Sequence, residues 1–197
     1  MTVAIYFDLS GVLFSNGSHS LVRELVERHG IERAALDAIL FGKDSWGLRR
    51  GEIDARTFWS RQSPRIDGLC LPAGFDLRLA WLRAFTPMPG MLELLARLAA
   101  RHRLGIIAES TFERVADLDA RFDFRRHFVT EHYSFERHAD KRDGGLFRIA
   151  LGESGTALVV EDDPASAATA ASLGMPVILF GDAPALTREL AGRGFAS

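Results

Sequence analysis

The sequence has a single cysteine, Cys70, in 197 residues. An intrachain disulfide is therefore excluded, and a reducing compartment, the cytoplasm, is the expected setting. The first apolar run, residues 3–7, is far too short for a signal peptide or a membrane span. Charge of one sign is scarce too: the net charge is −2, with acids and bases mixed along the chain. That argues against nucleic acid or an anionic membrane surface as the main partner. No internal repeat and no low-complexity tract breaks the chain. What is present is ordinary for a globular protein. Hydrophobic residues make up 47% and charged residues 25%, enough for a core in one domain with a modest insertion.

Short apolar runs at residues 3–7, 104–108, 157–160 and 176–180, each bounded by polar or turn residues, predict buried parallel strands. A weaker fifth run covers 127–130. Between the runs the apolar period becomes helical, predicting helices over 91–101, 112–121, 143–151 and 164–173. Strand and helix alternating from Thr86 onward predict an α/β fold with a doubly wound parallel sheet.

Residues 15–85 depart from that rhythm. Leu21, Val22, Leu25 and Val26 mark one amphipathic helix, and Ile31, Leu36, Ile39 and Leu40 mark another. Two more are suggested by Thr57-Phe58-Trp59 and by Leu77, Leu79, Ala80 and Leu82. With no convincing strand, 15–85 is expected to be an all-helical insertion between a core made of 1–14 and 86–197.

Parallel sheets bind ligands beyond the carboxyl ends of their strands. Asp8 follows one predicted strand, Glu109-Ser110 another, and Glu161-Asp162-Asp163 a third. Several carboxylates on one rim repel unless a cation lies among them, and Mg²⁺, a hard ion that shares phosphate oxygens, suits such a set. Lys141, before a helix, can reach the same rim. A nucleophilic carboxylate, a divalent cation and a lysine suit phosphoryl transfer. The competing reading makes each acid a turn former or a helix cap.

These segments resemble the haloacid dehalogenase (HAD) superfamily. Phe7-Asp8-Leu9-Ser10-Gly11-Val12-Leu13-Phe14 is similar to its first motif, and Lys141 with Leu146-Phe147-Arg148 behind it to its third. Leu158-Val159-Val160-Glu161-Asp162-Asp163 resembles the fourth. Trp46-Gly47-Leu48-Arg49-Arg50-Gly51-Glu52-Ile53-Asp54 is similar to the helical cap of small sugar-phosphate phosphatases. The resemblance implies an Mg²⁺-dependent phosphatase acting on a small phosphorylated metabolite. Asp8 would become an aspartyl phosphate. Asp8, the Ser10 carbonyl and Asp162 would hold the metal, assisted by Glu161 or Asp163, and Lys141 would orient Asp8. Arg49, Glu109 and Ser110 are the candidate substrate-binding residues.

Three departures from the motifs stand out. Ser10 replaces the carboxylate that protonates the leaving alcohol, a role typically worth about 10²–10⁴ in rate. Ala108 falls where the phosphate-binding hydroxyl of the second motif belongs, with Ser110 and Thr111 arriving late. Glu109 then stands near phosphate and must be protonated, turned away or bound to a cation. Arg142 follows Lys141 where proline is common. Two alternatives follow: a catalytically weak protein that binds a ligand or partner, or a hydrolase whose leaving group needs no proton.

Overall fold

The computed structural model describes residues 5–195. Val3 and Ala4, expected to open the first strand, lie outside the described residues. In chain order the elements are β1 (Ile5–Phe7), α1 (Gly17–His29), α2 (Arg33–Leu40), α3 (Lys43–Arg49), α4 (Ala55–Asp67), α5 (Leu77–Arg83) and α6 (Met91–Ala99). Then come β2 (Leu104–Ala108), α7 (Phe112–Phe122), β3 (Phe128–Tyr133), α8 (Ser134–Arg137), α9 (Gly145–Ser154), β4 (Leu158–Glu161), α10 (Pro164–Ser172), β5 (Val177–Leu179) and α11 (Ala183–Gly192).

The sheet is entirely parallel, in the order β3-β2-β1-β4-β5. The chain fills one side of β1 and then the other, so the topological switch point lies beside β1. Period-two alternation divides the core. Ile5, Phe7, Ile106, Leu158 and Val160 face the side covered by α6, α7 and α11. Tyr6, Ile107 and Val159 face α9 and α10. With both faces covered the strands are apolar throughout, which is why short continuous runs revealed them.

Helices α1 to α5 follow β1, and no strand occurs between Gly17 and Arg83 among the described residues. The chain enters and leaves this group side by side. Ser15 N–H donates to Thr86 O at 2.8 Å, and Met88 N–H donates to Leu13 O at 2.9 Å. Four elements differ from expectation, among them the four-residue helix α8, too short to show a helical period. Helix α3 has only 7 residues and contains Gly47, so its periodicity is too short to read. Helix α11 went unpredicted although Asp182 caps it and a proline opens it. Strand β3 extends to Tyr133, because an edge strand carries polar residues that a hydrophobic run does not predict.

Candidate active site

The carboxyl ends of the central strands meet a cavity of about 820 Å³ whose far wall is formed by residues of α1 and α3 with Phe41 and Phe85. Asp8 leaves β1 with its N–H donated to Val160 O at 3.0 Å, which holds it level with the end of β4. The chain then turns back at once, with Leu13 and Phe14 N–H both donating to Leu9 O at 3.0 and 2.9 Å. Gly11 makes that turn possible. Its φ of +92° is left-handed, and a β-carbon there would lie 1.9 Å from Asp162 Oδ2.

Lys141 joins the carboxyl ends of β1, β2 and β4. Its Nζ donates to Asp8 Oδ1 and to Glu161 Oε2, both at 2.6 Å. Its backbone N–H donates to Glu109 Oε1 at 2.9 Å. Glu109 is therefore turned toward the loop that carries the lysine while it still lines the cavity, where its charge acts on Arg49. Burial alone would lower the Lys141 ammonium, but Asp8 and Glu161 outweigh it and hold the group above the usual lysine range.

Asp8, Glu161 and Asp162 can each bring an oxygen within 4.8 Å of the others. Burial pushes the Asp8 carboxyl well above the usual carboxylate range; Lys141 opposes this, while Glu161 and Asp162 add to it. Asp162 is raised as well, chiefly by burial, although it accepts a hydrogen bond from Asn16 Nδ2 at 3.1 Å. Three carboxylates against one ammonium leave a formal charge of −2 in a largely buried cluster. Hard oxygen donors with this surplus fit a divalent cation such as Mg²⁺.

Two expected residues stand apart from this cluster. Asp163 caps α10, accepting from Ser166 N–H and Ser166 Oγ, both at 2.9 Å, and these bonds hold its pKa below the usual range. Its carboxylate serves the helix and is not part of the three-acid group. Ser110 is fully buried and does not line the cavity; its N–H donates to Ser134 Oγ at 3.1 Å. The late hydroxyl of the second motif is thus turned into the protein, while Ala108 ends β2 wholly buried.

Ser10 and Arg49 do line the cavity. The Arg49 guanidinium lies 5.1 Å from the Trp46 ring, its Nη2 donates to Leu40 O at 3.4 Å, and its Nε is buried without a protein acceptor. Sequence reasoning missed Arg114, which also lines the cavity and is 2% exposed. The available signal was its spacing: Arg114 shares the buried face of α7 with Val115 and Leu118, where an apolar residue is expected.

No protein-family model matches the chain, and no curated protein matches it. Solved structures do. A predicted HAD-like family hydrolase from Porphyromonas gingivalis is 21% identical, with a TM-score of 0.73 over 96% of this chain and 98% of that one. A HAD family enzyme from Bacteroides thetaiotaomicron, in complex with magnesium and inorganic phosphate, is 14% identical, with a TM-score of 0.71 over 93% and 96%. The L-2-haloacid dehalogenase of Xanthobacter autotrophicus, with chloropropionic acid covalently bound, is 18% identical, with a TM-score of 0.63 over 100% and 85%.

Proposed function

From the HAD-like fold of this chain, we propose that the protein is an Mg²⁺-dependent hydrolase that takes a phosphoryl group from a small phosphorylated metabolite onto Asp8. The observation that carries this reading is the Lys141 ammonium, 2.6 Å from both Asp8 and Glu161 at the mouth of the switch point. A structural ion pair has no need of a third carboxylate. Asp162 in the same group leaves an excess that suits a cation and an arriving phosphate together.

Asp8, Glu161 and Asp162, with the Ser10 carbonyl, would hold the Mg²⁺, which when bound neutralises charge on the phosphoryl oxygens and keeps Asp8 ionised. An Asp8 oxygen attacks phosphorus, the bond from phosphorus to the ester oxygen breaks, and the resulting acyl phosphate is hydrolysed by water. Lys141 orients Asp8 and offers a positive charge where the phosphoryl oxygens gather. Residues 15–85 act as a helical cap whose cavity wall selects the substrate, and the cavity of about 820 Å³ suits a small metabolite.

Ser10 bears on rate. Its hydroxyl does not serve as a proton donor near neutral pH, so esters with poor leaving groups turn over slowly. The test is phosphate release from sugar phosphates, nucleotides, acetyl phosphate and p-nitrophenyl phosphate, with Mg²⁺ or EDTA, against Asp8→Asn. Metal-dependent release that vanishes in the variant is expected. Release from acetyl phosphate alone would favour substrates whose leaving group needs no proton. No release above the Asp8→Asn blank would overturn the hydrolase reading in favour of a ligand-binding protein.

A further inference from the structure

Among the described residues no carboxylate acts on the Arg114 guanidinium. Nε and Nη2 are buried without a protein acceptor. Burial pushes its pKa well below the usual arginine range, and the charge of Arg49 pushes it the same way. It also occupies the first turn of α7, where the helix dipole is positive. The acids of its own helix are committed elsewhere. Glu113 is engaged by Trp59 Nε1 at 3.3 Å and by Arg78, and Asp117 by Arg83 at 3.3 Å and Arg121 at 2.7 Å.

The side chain is nevertheless held in place. The Trp81 and Phe85 rings lie 4.5 and 4.1 Å from its guanidinium carbon. Arg49, on the same cavity, is set against Trp46 with its Nε unpartnered, although its Nη2 donates to Leu40 O and the Glu109 carboxylate, which Lys141 N–H engages, favours its charge. Two arginines fixed by aromatic rings, with buried donors free, form a receptor for a planar or tetrahedral oxyanion. A solvated helix face does not explain Arg114, which is 2% exposed.

We propose that Arg49 and Arg114 bind a second anionic group of the substrate, a carboxylate or a second phosphate, while the cluster around Asp8 takes the phosphoryl group. This rests on the phosphoryl-transfer reading above and narrows its substrate class from phosphate esters in general to doubly anionic ones. The apolar rings of Trp81 and Phe85 strengthen each charged contact by keeping water from the donors. Charge-assisted hydrogen bonds of this kind discriminate by about 10–100-fold against a ligand that lacks the anion.

The test is calorimetric binding of matched ligands to the Asp8→Asn protein with Mg²⁺, so that affinity is read without turnover. The ligands are alkyl phosphates of two to four carbons, the same chains ending in a carboxylate, and the same chains ending in a second phosphate. At least one doubly anionic ligand should bind about 10–100-fold more tightly than its alkyl counterpart. Arg114→Met or Arg49→Met in the same background should reduce that advantage to a few-fold. A carboxylate preference and a bisphosphate preference each support the proposal and identify the anion. Equal binding across each matched set, or an advantage that survives both arginine variants, would overturn it. If a preference appears but the wild type releases no phosphate, the hydrolase reading fails and the second anion site stands.

Discussion

Replacing Arg114 by methionine should make the ligand-free protein more stable. Methionine keeps the apolar stem of arginine as far as the position of Nε and places its sulfur and methyl group beside the Trp81 and Phe85 rings. What is lost is a buried charge whose Nε and Nη2 have no protein acceptor. An unsatisfied buried donor costs about 1–3 kcal/mol, and more when charged. The stacking of the guanidinium on the two rings, at 4.5 and 4.1 Å, returns about 0.5–2 kcal/mol per ring. Sulfur–aromatic contact in the variant recovers roughly 0.3–1.5 kcal/mol of that. The balance favours Arg114→Met by about 1–3 kcal/mol. For a chain of this size that raises Tm by about 2–12 °C. Urea and thermal unfolding of the metal-free, ligand-free proteins would measure it. Arg114→Ala is the control: it leaves a void between the rings and should gain less or lose stability. An Arg114→Met protein that melts at or below the wild-type temperature would refute the reasoning, because the guanidinium would then be a satisfied structural group.

Gly11→Ala should weaken Mg²⁺ binding by at least about 10-fold in a calorimetric titration, since its β-carbon displaces the Asp162 carboxylate; an unchanged affinity would separate Asp162 from the metal. Ser10→Asp restores an acid beside the leaving group. It should raise turnover of alkyl phosphates by up to about 10²–10⁴ and that of p-nitrophenyl phosphate far less; equal effects on both would rule out proton donation as the limiting step. His132 is buried, and burial holds its pKa below the usual imidazole range, with Glu153 opposing and Arg137 adding to the depression. As pH falls, the unfolded chain therefore binds this proton before the folded one. The His132 contribution to stability is complete above about pH 6.5 and declines as pH drops toward the folded-state value. Tm measured between about pH 8 and about pH 5.5 should fall less in His132→Asn than in the wild type; parallel curves would exclude His132 as a source of acid sensitivity.

The parallel core was legible because a strand covered on both faces leaves an uninterrupted apolar run, and Asp8, Glu109 and Glu161 could be placed by following such runs to their ends. Lys141 was legible for a related reason, since a loop that opens a helix above the sheet points at the same rim. Side-chain direction was not legible. Whether Asp163 faces a cation or caps α10 depends on one torsion, and the Ser110 hydroxyl is buried without a protein partner while only its backbone N–H is engaged, by Ser134, 24 residues away. Arg114 escaped for the opposite reason. Its helix was read correctly, but a charge on an apolar face gains meaning only when Trp81 and Phe85, distant in sequence, are known to flank it.

The short helix α3 carries a mechanical consequence. Ser134 Oγ donates to Arg49 O at 2.6 Å, and His138 Nδ1–H donates to Arg50 O at 2.9 Å, so the carboxyl end of α3 is capped by side chains from beyond β3. Gly51 permits that approach, because any β-carbon there would lie 2.2 Å from Phe135 O. Lifting α3 would strip both carbonyls of their donors, at about 0.5–1.5 kcal/mol each. The wall that bears Arg49 is thus latched to the sheet side of the cavity, as Trp59 and Arg78, both bonded to Glu113, latch α4 and α5 to α7.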